Sequence, residues 1–314
     1  MVKEAFSELM KAIWADKFVF TSEVAPLKTT SLDDAISSAK ALKGYAIACN
    51  VTDNLRARAY LSSVVASHII QEKAGVEAVC QMTVRDRNRL ALTSDLLGAA
   101  ALGIKNILTM SGDHTTVGDN PGAMPVYDLD TAQFVYLVRK MVDGGTDLAG
   151  NKIDGRVKLH IGITGNPNSD PLEIELAKLE RKVELGAEFM QTQVVFDIEQ
   201  TKSFLGEMKK FNMPIIVGIF PCKSFAMADY LYKNVAGVSM PREYVEELRE
   251  AEEIDDIGLQ KQRIDEANVG FFTAFIKEIR KTTQARGMHI MTIGYEKIVR
   301  AIIENVDPSM KHLQ

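Results

Sequence analysis

Short apolar, β-rich runs recur along the chain, separated by longer stretches in which apolar residues return every three or four positions. The short runs cover 18–24, 45–51, 76–82, 106–110, 157–163, 188–195, 214–220 and 289–293. Runs of this length, rich in Val, Ile and Phe, predict buried strands. Helical periodicity covers 32–42, 55–71, 87–102, 131–142, 172–185 and 201–210, and a longer helical stretch runs over 242–285. Helix punctuation agrees with this division. Ser31 precedes one helix with Asp34 three residues on, Pro171 opens another, and Gly103, Gly186 and Gly287 read as stops. The first sixteen residues also have helical spacing, with Lys3, Glu4, Glu8 and Lys11 set among apolar positions.

Strands alternating with helices demand a parallel sheet, and eight such units close a (β/α)8 TIM barrel. The expected architecture is one barrel domain over 1–314, with extra helices around 242–285. An open doubly wound sheet is the rival, but the GxGxxG fingerprint expected after an early strand is missing. The long loop 111–130 follows a strand and should face the active site, whereas 144–156 precedes one and belongs to the opposite rim.

Composition narrows the class of function. Of 314 residues 46% are hydrophobic and 25% charged, which suits a folded enzyme-sized protein. A net charge of −5 gives no electrostatic footprint for nucleic acid. No apolar run approaches the roughly 20 residues of a membrane span, and the N-terminus lacks the apolar core of a signal peptide, so a cytoplasmic location is expected. Cys49, Cys80 and Cys222 form no CxxC pair, and the five histidines form no HExxH, so neither disulfide framework nor metal site is expected.

Barrel chemistry is built at the carboxyl ends of the strands, and these ends are polar here. Glu23 ends the first strand. In an apolar barrel mouth its carboxyl would be pushed toward neutrality and could donate a proton, while the bland alternative is a surface glutamate. Gly112-Asp113 after the fourth strand lets backbone approach a planar ligand, or simply makes a turn. Gln193 in the sixth strand fits a ligand edge or a satisfied core network. Asn166 follows the fifth strand, and Arg181 with Lys182 lies two turns into the next helix, as a phosphate site or as a solvated face. The acidic stretch 246–256 is either a solvated helix face or a partner surface.

Taken in order, these motifs resemble the methylenetetrahydrofolate reductase family. The resemblance rests on Phe20-Thr21-Ser22-Glu23-Val24-Ala25-Pro26, on 107–113 ending in Gly112-Asp113, on 179–187 with Arg181 and Lys182, on Gln191-Thr192-Gln193, and on Val217-Gly218-Ile219-Phe220-Pro221. It implies a flavin, FAD rather than FMN, and a tetrahydrofolate substrate. It further implies Glu23 as proton donor, Asp113 as a folate contact that tunes the flavin, Gln193 as a folate contact, and Asn166, Arg181 and Lys182 at the flavin phosphates or ribose. Around the flavin this chain has Gln81 and Asn166 where well-studied bacterial members have histidine, and Ser111 where they have arginine. Met227 and Leu231 stand where those enzymes clamp a nicotinamide with amide and aromatic side chains. Asn50-Val51-Thr52-Asp53-Asn54 is closer to divergent members of anaerobic one-carbon metabolism, some of which receive electrons from a partner protein.

The implied reaction is reduction of 5,10-methylenetetrahydrofolate to 5-methyltetrahydrofolate, or its reverse. Flavin-free methyl transfer involving tetrahydrofolate and a non-catalytic pterin-binding subunit are the alternatives. Oligomerisation is left open.

Overall fold

The computed structural model describes residues 4–234, 237–292 and 294–309. Eight parallel strands close a barrel in sequence order: β1 (Val19–Val24), β2 (Ala48–Val51), β3 (Glu77–Thr83), β4 (Asn106–Met110), β5 (His160–Gly165), β6 (Phe189–Val194), β7 (Ile215–Ile219) and β8 (Gly287–Ile290). The expected (β/α)8 barrel is the observed fold. Ile293, the expected end of the eighth run, lies outside the described residues. No helix among the described residues is long and apolar enough to cross a membrane.

The helices are α1 (Glu8–Trp14), α2 (Asp33–Leu42), α3 (Ser63–Ala74), α4 (Arg89–Ala101), α5 (Thr131–Arg139), α6 (Leu172–Glu184), α7 (Ile198–Met208), α8 (Phe225–Asn234), α9 (Arg242–Glu252), α10 (Ile257–Thr282) and α11 (Lys297–Val306). Several differ from the sequence expectation. The helix expected over 55–71 begins only at Ser63. Before it, Asn54, Arg56 and Ala57 have positive φ, and the amides of Ala59 and Tyr60 bond to the side chains of Asp119 and Asn54 instead of to a helical ladder. The stretch 242–285 is two helices, α9 and α10, and α8 and α11 were not expected. Gly287 ends no helix. It opens β8, where a Cβ would come within 2.1 Å of the Val19 carbonyl oxygen, so glycine lets β8 close against β1.

The barrel interior is layered. Its lowest layer is apolar, with Val19, Ala48, Val79, Leu108, Phe189 and Ile216 packed against Leu9, Met10 and Ile13 of α1. Gly162 makes room for Phe189, whose ring would meet a Cβ there at 2.4 Å. Thus α1 seals the N-terminal end. Its first amides, from Glu8 and Leu9, donate to the Glu77 carboxylate at 2.7 and 3.0 Å, answering the unpaired N–H groups of a helix start. Above this lies a polar layer of Thr21, Asn50, Gln191 and His289, none more than 3% exposed. The helices cover the outside through a continuous apolar core that includes Cys49, Cys80 and Cys222. All three thiols are buried and unpaired, and burial pushes them up to about 12, 11 and 12.

Candidate active site

The carboxyl ends of the strands surround a cavity of about 230 Å³, and Glu23 projects into it from β1. Strand alternation puts Val19, Thr21 and Glu23 on the inner face of β1, so Glu23 belongs to the layer above the polar one. It is 7% exposed, and its carboxyl has no hydrogen-bond partner among the described residues. Burial without a compensating donor pushes it up to about 7. Such a group holds its proton near neutral pH and can give it up, which is what a general acid must do.

Gln81 of β3 and Gln193 of β6 line the same cavity. The two glutamines of β6 divide the roles considered for one. Gln191 is the buried amide of a core network, while Gln193 is exposed at the rim and its side chain makes no hydrogen bond among the described residues. The pairing of β6 with β7 has a register irregularity between Gln191 and Val194. There Thr192 Oγ1 accepts from the Gly218 amide at 2.8 Å and donates to the Gln193 carbonyl at 2.8 Å.

Ser111, Gly112 and Asp113 follow β4 and edge the cavity. Gly112 has φ +80°, and a Cβ on it would sit 3.0 Å from Arg85 Nη1 and from Thr83 Cγ2. Glycine is needed for both reasons. Arg85, only 2% exposed, lies under this turn. It donates to the Asp113 carbonyl at 3.0 Å and the Asn54 carbonyl at 3.2 Å, and forks onto Asp86 with two bonds of 2.7 Å. Three loops are therefore tied by one guanidinium. Sequence reasoning missed Arg85, although the alternating charges Arg85-Asp86-Arg87 directly after a strand are a visible signal. It also missed His289, which reads in sequence as an ordinary strand residue.

A second cleft of about 500 Å³ shares Ser111, Thr164 and Gln193 with the first and runs toward α6, lined by Asn166, Lys178, Arg181 and Lys182. Arg181 and Lys182 are not equivalent parts of a solvated face. Arg181 is exposed and 3.6 Å from Asp130. Lys182 is 7% exposed, and its Nζ donates to the Thr164 carbonyl at 3.2 Å. Burial pulls its ammonium below the ordinary lysine value. It has no salt bridge among the described residues, so an anion in the cleft would supply the missing counter-charge. Asn166 Oδ1 accepts from the Asn168 amide, while its own amide donates to Glu175 of α6. A cleft with a buried cation at its side suits a ligand that carries an anionic group.

Other expected features lie apart. Met227 and Leu231 pack half-buried on α8. The acidic stretch is largely used within the fold: Arg249 pairs with Glu246 and Glu253, Glu252 accepts from the Phe225 amide, and Asp256 caps α10. No cluster of His, Cys, Asp and Glu among the described residues could hold a metal ion.

A family model described as methylenetetrahydrofolate reductase matches residues 8–307. The chain belongs to this family. Methylenetetrahydrofolate reductase 1 of Schizosaccharomyces pombe is 23% identical over 313 residues, covering 95% of this chain and 47% of that protein. The 5,10-methylenetetrahydrofolate reductase of Pectobacterium carotovorum subsp. carotovorum is 23% identical over 209 residues, 65% of this chain and 64% of that one. The chain thus spans less than two thirds of the length of these reductase relatives. Among solved structures, oxaloacetate acetylhydrolase aligns with a TM-score of 0.50 at 10% identity, covering 95% of this chain and 84% of that one, which speaks to the barrel alone.

Proposed function

We propose that the chain reduces 5,10-methylenetetrahydrofolate to 5-methyltetrahydrofolate, in a reaction that can run either way, with FAD rather than FMN as its cofactor. The observation that carries this reading is Glu23, a buried carboxyl pushed up to about 7 at the base of a mouth that opens into a cleft flanked by a buried lysine. Glu23 delivers a proton to the nitrogen that parts from the methylene carbon. Asp113 and Gln193, at the rim, hold the polar edge of the pterin. Arg181, Lys182 and Asn166 would hold the diphosphate and ribose of the flavin, with Gln81, Ser111, Gly112 and Asp113 along its ring. When bound, the flavin supplies the hydride equivalent.

The reading of the electron donor rests on Met227 and Leu231, which stand at the family's nicotinamide-clamp positions. A nicotinamide must lie flat for hydride transfer, and the aliphatic chains of Met227 and Leu231 cannot stack on it as an aromatic does. Electrons therefore reach the flavin from a protein subunit instead of directly from NADH or NADPH.

The test is spectral and kinetic. Purified protein should absorb near 450 nm, and Glu23→Gln should keep that band while losing about 10² to 10⁴ in folate turnover with a reduced dye. Colourless protein that takes up no FAD would reject the flavin reading, and unchanged turnover would remove Glu23 from the mechanism.

A further inference from the structure

The polar layer under Glu23 is a directed hydrogen-bond chain. Asn50 Nδ2 donates to Gln191 Oε1 at 2.6 Å, and Gln191 Nε2 donates back to Asn50 Oδ1 at 3.1 Å. The same Gln191 Nε2 donates to Thr21 Oγ1 at 3.2 Å. Thr21 Oγ1 lies 3.0 Å from His289 Nδ1, which among the described residues is the one acceptor within reach of its hydroxyl proton. With Nδ1 accepting the Thr21 proton, the imidazole proton sits on Nε2. That edge has no partner among the described residues, although His289 is 3% exposed and borders the mouth cavity.

Register fixes what lies above it. Thr21 is paired with His289 across β1 and β8, and Glu23 is the next inward residue up β1. On the other flank of β1, Asn50 is turned into its reciprocal pair with Gln191. The charged groups around the mouth are engaged elsewhere or lie at its rim: Asp53 with Arg87, Arg85 with Asp86, Arg56 with Tyr230, and Asp113 exposed. Once Glu23 has given up its proton, the resulting carboxylate needs a donor, because a desolvated carboxylate without one is costly.

We propose that His289 is a positioning residue for Glu23, its Nε2–H receiving the Glu23 carboxylate formed when the proton passes to substrate. The imidazole keeps its proton throughout and stays neutral, and the proton that moves is that of Glu23. The inference rests on the proton-donor reading of Glu23. It adds that Thr21, Gln191 and Asn50 hold one imidazole tautomer in place for it. Burial favours the neutral ring, pushing the imidazole down to about 3.

The test is ¹⁵N NMR of histidine-labelled protein between pH 5 and 9, with the His289 signal identified by its loss in His289→Asn. The expected result is a neutral, Nε2-protonated ring at every pH, with an Nε2 shift that follows a titration near 7 and disappears in Glu23→Gln. Kinetics give the second readout. Asn retains an acceptor near Nδ1 but loses the Nε2 donor, whereas Gln places an amide N–H near Nε2. His289→Asn should lower kcat about tenfold and move the alkaline limb of the pH profile up by about one unit, and His289→Gln should recover most of both. An Nδ1-protonated ring, a shift indifferent to Glu23→Gln, or equal effects of Asn and Gln would overturn the proposal. The NMR arm needs no turnover. Wild-type protein inactive on folates would thus count against the enzymatic reading, while the titration still decides the pairing of His289 with Glu23.

Discussion

Glu23 and His289 are buried titratable groups whose effects on stability run in opposite directions. The carboxyl has a folded value of about 7 against an ordinary 4.5, so its contribution is fully present below about pH 4.5 and is lost as pH rises through 7. The imidazole, pushed down to about 3 from 6.5, supports the fold above 6.5 and withdraws that support as pH falls. Glu23→Gln should therefore match wild type in urea melts at pH 4 and exceed it at pH 8–9 by up to about 3 kcal/mol. Equal curves at both pH values would mean that the carboxyl is solvated. Glu23 was legible in the sequence because it ends a strand, and strand ends are where barrel chemistry gathers. Lys182 was named there too, but its burial was not legible, since periodicity alone cannot tell a lysine on the rim of a helix face from one turned against the neighbouring strand.

Among the elements, strands were the more legible. A strand buried on both faces leaves a short apolar run whose length and β-branched content set it apart from a helix, and all eight runs overlap observed strands. Connections were harder. Leu55 to Leu61 has apolar spacing compatible with a helix, yet side chains of Asn54 and Asp119 take its amides, and no periodicity encodes that competition. Gly287 misled for a related reason: its absent side chain serves a neighbouring strand, not a positive φ. The seal formed by α1 is testable at this scale. Leu9 is fully buried between α1 and the lowest barrel layer, and Leu9→Ala should cost about 2–5 kcal/mol in chemical denaturation, with the site at the opposite end still able to bind flavin. A loss under 1 kcal/mol would mean that α1 packs loosely.

Taken whole, the molecule has its candidate site at one end and its closure at the other. The connection from β7 to β8 carries three helices, α8, α9 and α10, and the first of them carries Met227 and Leu231, half-buried against the core. Stopped-flow mixing of flavin-loaded protein with NADH or NADPH should show flavin reduction far slower than folate turnover driven by a reduced dye. Comparable rates would mean that another part of this connection has become a nicotinamide site.

The closed end has a consequence for how the molecule breathes. With α1 across the bottom, water reaches the barrel interior chiefly from the mouth, so the fold should loosen from the top downward. Deuterium uptake followed by mass spectrometry should register this as a gradient along each strand: peptides from the loop 111–130 labelled within seconds, and those carrying Ala48, Val79 and Ile216 labelled only when the whole barrel opens. Leu9→Ala would then shorten the lifetime of the slowest amides before it touched the fastest. The N-terminal helix would act as the clock of the barrel, far from the chemistry and setting how long its framework lasts.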